Sequence, residues 1–153
     1  MENISEIFAN FENLVPLFNG KSIKEQAGIS DDDVNNLHAI ACDFYDKGKL
    51  NEAEQFFQHL CLLDSTNIDY ILGLGAVLQK KKLYSKAVDI YAAGHMVQKN
   101  DSRPMFYAGQ CNFFDRKYAK ARHCFEVVIK DNHSKDLTTM AEMFIDSMNE
   151  GKI

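Results

Sequence analysis

Cations are in short supply along this chain: 17 Lys and Arg stand against 22 Asp and Glu, a formal net charge of −5. That balance argues against direct nucleic-acid binding, which needs clustered Lys and Arg to neutralise phosphates. The one basic run, Lys80-Lys81-Lys82, falls at the end of a predicted helix, where cations oppose the negative end of the macrodipole. Long hydrophobic runs are missing too. None approaches the ~20 residues needed to span a bilayer, so no membrane association is expected. The opening MENISEIF carries acid where a secretory signal would carry base, which points to a chain that stays in the cytoplasm.

The residues that build catalytic and metal sites are sparse or badly spaced. Cys42, Cys61, Cys111 and Cys124 show no CxxC pairing and fall inside helical patterns, as reduced structural cysteines do. His59 and Cys61 are two apart on a helix and so point to different faces, while His123 and Cys124 are adjacent, with the same objection. No HExxH pair or Ser–His–Asp set emerges, and Gly73-Leu74-Gly75 lies within a helix rather than in a phosphate-binding loop. The triple acid Asp31-Asp32-Asp33 lacks the alternating ligands, central Gly and terminal Glu of a calcium loop. Placed after Ser30, it reads as a helix start. Neither an enzyme nor a metal or other cofactor is expected.

What is present is a repeat. Ala53, Ala87 and Ala121 recur at an interval of 34 residues, and four residues after each stands Phe57, Tyr91 or Phe125. Twelve residues before each alanine stands Ala41, Gly75 or Gly109. Small, small, aromatic at those offsets is the tetratricopeptide pattern. The expected fold is therefore an all-α solenoid of three helix pairs, repeats 34–67, 68–101 and 102–135, within a segment spanning residues 30–135. The pairs read as Asp33–Lys47 with Asn51–Leu63, Ile68–Lys81 with Ser85–Gln98, and Arg103–Asp115 with Ala119–Lys130. Gly48 sits where a left-handed residue closes a helix, and Asp101-Ser102-Arg103-Pro104 offers cap residues followed by a first-turn proline. No repeat has the large aromatic near its fourth position, and none has the closing proline.

Segments outside the repeats complete the plan. Residues 1–29 contain an N-terminal amphipathic helix and a connector, with Ile4, Ile7, Phe8 and Phe11 on a stripe too apolar for water. That stripe is expected to pack on the repeats or on a second subunit, and it is the candidate dimer contact. Residues 136–153 hold a C-terminal capping helix, with Leu137, Met140, Ala141, Phe144 and Met148 on one face.

A binding surface follows from the helical period. Positions 2, 5, 9 and 12 of each first helix share a stripe, which in a tetratricopeptide array lines the concave face. Those positions hold Asn35, His38, Cys42 and Tyr45; then Asp69, Leu72, Ala76 and Gln79; then Arg103, Phe106, Gln110 and Phe113. Leu63 is added as a further candidate groove residue. Apolar pockets separated by polar groups suit an extended peptide. A carboxylate-reading adaptor would need clustered cations in the groove, and this stripe supplies only Arg103.

From Leu17 to Val128 the chain resembles the class II chaperones of bacterial type III secretion. The resemblance rests on Leu17-Phe18-Asn19-Gly20, FxxLCxLD at Phe57–Asp64 and DYxLGLGAxxQ at Asp69–Gln79. YxxAxxxYxxG at Tyr84–Gly94 and PxFYAGQC at Pro104–Cys111 extend it over about three quarters of the chain. It implies a bacterial cytoplasmic chaperone that holds hydrophobic translocator proteins before export and prevents premature association or degradation. The client's extended segment, near its N-terminus and of Pro-x-Leu-x-x-Pro type, would lie in the concave groove. The resemblance also implies a homodimer, often through the N-terminal helix, and in some members a second role as co-regulator with a transcription activator. A generic tetratricopeptide adaptor is the alternative. Two departures stand out: Asn19-Gly20 replaces a common double glycine, and His38 and Cys42 stand where aromatics are favoured.

Overall fold

The structure is a computed structural model, and it describes residues 23–151. All regular structure among them is helical: α1 Ile23–Gln26, α2 Asp31–Asp46, α3 Leu50–Leu63, α4 Ile68–Lys80, α5 Tyr84–Val97, α6 Arg103–Phe114, α7 Tyr118–Asp131 and α8 Lys135–Asn149. The chain forms two compact units, Met1–Lys81 and Lys82–Ile153, so their boundary falls inside the second 34-residue repeat. The Ile4, Ile7, Phe8 and Phe11 stripe lies outside the described residues.

In the first unit, local chemistry sets the helix ends. Ser30 Oγ accepts from the Asp33 amide at 3.1 Å, and the Asp33 carboxylate accepts from the Ser30 amide at 3.3 Å. This reciprocal box, with three acids in the first turn, starts α2 as expected. Gly48, at φ 73°, ends it; the Gly48 amide donates to the Tyr45 carbonyl and the Lys49 amide to that of Phe44. The described part of the expected connector contains the short α1, tied to the start of α2 by a Lys24–Asp31 ion pair. Asn67 caps α4, its side-chain oxygen accepting from the Asp69 amide at 3.0 Å and the Tyr70 amide at 3.4 Å.

Small residues decide how near these helices come. Ala41 and Ala53 are fully buried within the α2–α3 pair, and the Phe57 ring of α3 occupies the space a side chain on Gly73 of α4 would need. Phe57, Leu60, Ile71, Leu74, Val77 and Leu78 fill the interior. Each large side chain buried this way contributes about 1.5–3 kcal/mol. Of the basic run, Lys81 pairs with Glu54 and also donates to Asn51 Oδ1 at 3.0 Å. Lys80 lies 4.3 Å from the centre of the Tyr45 ring. These cations fasten the end of α4 to α2 and α3 as well as opposing its dipole.

The second unit repeats the device. Ala87 and Ala121 are fully buried, and Gly109 of α6 faces the ring of Phe125 on α7. Phe106, Phe125, Val128 and Ala141 form a cluster that Leu137, Phe144, Ile145 and Met148 of α8 close over. Helix α8 is thus the expected capping helix, except that Met140 is exposed rather than packed. The start of α6 draws its cap from the expected residues. Ser102 makes no side-chain cap, and Asp101 Oδ1 instead accepts from the Arg103 amide at 2.9 Å.

Candidate functional site

The stripe splits between the two units. In the first, Asn35 is exposed, while His38, Cys42 and Tyr45 of α2 are half-buried. The His38 ring meets Tyr70 edge-on at 5.2 Å and Phe57 at 6.0 Å, which fixes its plane. Burial, with help from Asp46, pushes the Cys42 thiol up, so the group stays neutral. Tyr45 is held by Lys80, whose Nζ also donates to the Tyr45 carbonyl at 3.4 Å. On α4, Asp69 is exposed, Ala76 and Gln79 are half-buried, and Leu72 is almost wholly buried. The accessible face of this unit therefore alternates imidazole, thiol, phenol, methyl and amide with no net cluster of charge.

In the second unit the stripe is less open than the helical period implies. Phe106 is only 1% exposed, its ring against Phe125 at 5.8 Å and Phe144 at 6.1 Å. This corrects its placement as an exposed groove residue: α8 brings Phe144 over it. Phe113 is half-buried, edge-on to Phe144 at 5.0 Å and to Tyr118 at 5.7 Å, and Gln110 is half-buried one turn away. Arg103 is committed to Asp101, with Nε at 3.0 Å from both carboxylate oxygens and Nη2 at 2.6 Å from Oδ2. Burial would raise the Asp101 carboxyl, but the Arg103 hydrogen bonds outweigh it and hold the group below the usual carboxylate range.

Leu63 is half-buried near the end of α3. It lines a cleft of about 460 Å³ in the first unit with Ile23, Leu37, Phe56, His59 and Leu62, on helices α1, α2 and α3. Tyr70 and Phe144 are what the residue pattern missed. Both buttress stripe residues from neighbouring helices, contacts that spacing within one helix does not reveal. Among the described residues no group of three or more His, Cys, Asp or Glu is placed to hold a metal ion. No helix among them is long and apolar enough to cross a membrane.

The tetratricopeptide-repeat family model matches residues 34–67 and 68–93, the first repeat and most of the second. The chaperone protein SicA of Salmonella typhimurium is 43% identical over 129 residues, 84% of this chain and 78% of that protein. The chain belongs to the class II translocator chaperones of type III secretion. The translocator chaperone SycD of Yersinia enterocolitica superposes with a TM-score of 0.78 at 27% identity, covering 84% of this chain and 98% of SycD. PcrH, solved in complex with the chaperone-binding region of PopB, gives a TM-score of 0.71 at 30% identity, covering 76% of this chain and 98% of PcrH. Translocator chaperones of this family are binding proteins, not enzymes.

Proposed function

We propose that this chaperone holds a hydrophobic translocator protein in the bacterial cytoplasm through an extended segment near the client's N-terminus. The segment would lie on the first-helix stripe, which in the first unit holds His38, Cys42, Tyr45, Asp69, Leu72, Ala76 and Gln79; Gln110 and Phe113 hold the matching positions of the third repeat. The observation that carries the reading is the character of the α2 and α4 faces: half-buried apolar groups interleaved with amides, around the small Ala76. A large client side chain needs a small residue opposite it, and a client backbone in extended form needs donors and acceptors between its pockets. Occupied this way, the client's apolar surface would be kept from premature association and degradation. Relatives support the assignment, since PcrH has been solved with the chaperone-binding region of PopB.

A homodimer through Ile4, Ile7, Phe8 and Phe11 is part of the proposal; SycD is known in an alternative dimer. Co-expression tests the function directly. The cognate translocator should stay soluble with the intact chaperone and aggregate or be degraded without it. A translocator equally soluble and intact in both cells would refute the reading.

A further inference from the structure

The turns inside the helix pairs carry an oddity of charge and backbone. Gly48, Lys82 and Arg116 occupy the same place in successive 34-residue repeats, and all three are left-handed, with φ of 73°, 60° and 60°. Glycine adopts that conformation freely, whereas a residue with a Cβ is strained in it. The second unit thus keeps a cation twice where glycine would be the stable choice. At Arg116 the turn is fully formed around it: its amide donates to the Phe113 carbonyl at 3.1 Å, and the Lys117 amide to that of Asn112 at 2.8 Å. Strain retained in this way marks positions kept for their side chains.

The surroundings say what those side chains are for. Phe114, beside Arg116, is 52% exposed, and its ring stacks on Tyr84 with centroids 6.2 Å apart. Lys117 Nζ donates to Ser85 Oγ at 3.0 Å, which sets the turn before α5 alongside the turn before α7. Lys117 is itself neutralised by Asp115 at 2.6 Å. Lys82 and Arg116 are exposed and pair with no acid among the described residues. A stacked aromatic pair is thus flanked along the chain by two free cations, Lys82 two residues before Tyr84 and Arg116 two residues after Phe114, in a protein whose net charge is −5.

We infer that Lys82, Tyr84, Phe114 and Arg116 form a second docking surface, for an acidic protein segment that carries an apolar side chain. Carboxylates of the segment meet the two cations, and its aliphatic or aromatic side chain covers Phe114. Two free cations on an acidic protein do not make a phosphate track, which needs many neutralising contacts. A carboxylate-rich peptide needs few, and its affinity comes as much from the ring as from the charge.

The test uses the full chain and a fluorescein-labelled peptide alternating Asp and Glu with Leu and Phe. A counterpart with Lys at every acidic position and a labelled oligothymidine serve as competitors for the assignment. Fluorescence anisotropy should show saturable binding of the acidic peptide, weakening with added salt, and markedly weaker binding of the other two. The double variant Lys82→Gly, Arg116→Gly should lose about tenfold in affinity while melting no lower than the parent, because glycine relieves both strained positions. Phe114→Ala should also weaken binding, whereas Ala76→Phe on the α4 stripe should leave it unchanged. Equal binding of acidic and basic peptides, tighter binding of oligothymidine, or an affinity unmoved by the double glycine variant would overturn the inference. So would loss of the peptide in Ala76→Phe, which would place it on the client stripe.

Discussion

Adding one methyl group at Gly109 is a stringent probe of how the repeats close. A Cβ built there would lie 2.7, 2.9 and 3.0 Å from three carbons of the Phe125 ring, all inside ordinary van der Waals contact. The ring has nowhere to go. It is fully buried, stacked on Phe144 with centroids 4.7 Å apart and tilted against Phe106 at 5.8 Å, so yielding means moving α8 as well. Overpacking of this kind costs about 1–3 kcal/mol. Alanine returns about 1 kcal/mol of helix propensity, since glycine is the poorer helix former. The balance is a loss of up to about 2 kcal/mol, or a fall in Tm of up to about 8 °C for a chain of this size. Thermal melts followed by circular dichroism measure it directly. Phe125→Leu, which vacates the contested space, should cost less in the Gly109→Ala background than in the parent. A Gly109→Ala variant more stable than the parent by about the full 1 kcal/mol of helix propensity would refute the close approach of α6 and α7.

Phe106→Ala should destabilise the fold by about 3–5 kcal/mol, as loss of a fully buried ring does, and any loss of client binding should track that unfolding. Phe113→Ala, at a half-buried position, should weaken client binding at a smaller cost in Tm; melts and titrations of both variants separate the two cases. Burial pushes the Cys61 and Cys111 thiols up to about 12 and also raises that of Cys124. At pH 8 a thiol of that pKa is ionised to only about one part in ten thousand, so a disulfide reagent should react first with Cys42, whose thiol is also raised but only half-buried. All four cysteines should react once denaturant is added, and rapid reaction of two or more in the native protein would contradict the buried placement.

The repeat was legible because its constraints are local and recur. Ala53, Ala87 and Ala121 are each fully buried, and the rings four residues on are at most 3% exposed. A small residue facing a large one repeats with the helix pair, so the 34-residue period carries it. The stripe was legible only in part. Helical arithmetic puts Phe106 and Leu72 on the same face as Gln110 and Ala76, but it says nothing of what neighbouring helices lay over that face. Phe144 covers Phe106 from a position 38 residues further along the chain, and that contact depends on the register of α8. The surroundings of Leu63 likewise come from other helices, since Ile23 and Leu37 line the same cleft. The cap residues before α6 were legible by type, but not which of the two acts: Asp101, and not Ser102, meets the first amide of the helix.

Calorimetric titration of the translocator's N-terminal segment into the parent and into Ala76→Phe tests the central claim most directly. Ala76 is half-buried on the accessible face of α4, so a phenyl group there should occupy the space meant for a client side chain while the melting curve changes little. The account predicts measurable binding to the parent and its loss in Ala76→Phe at an almost unchanged Tm. Full affinity in a folded Ala76→Phe protein would show that the client is held elsewhere.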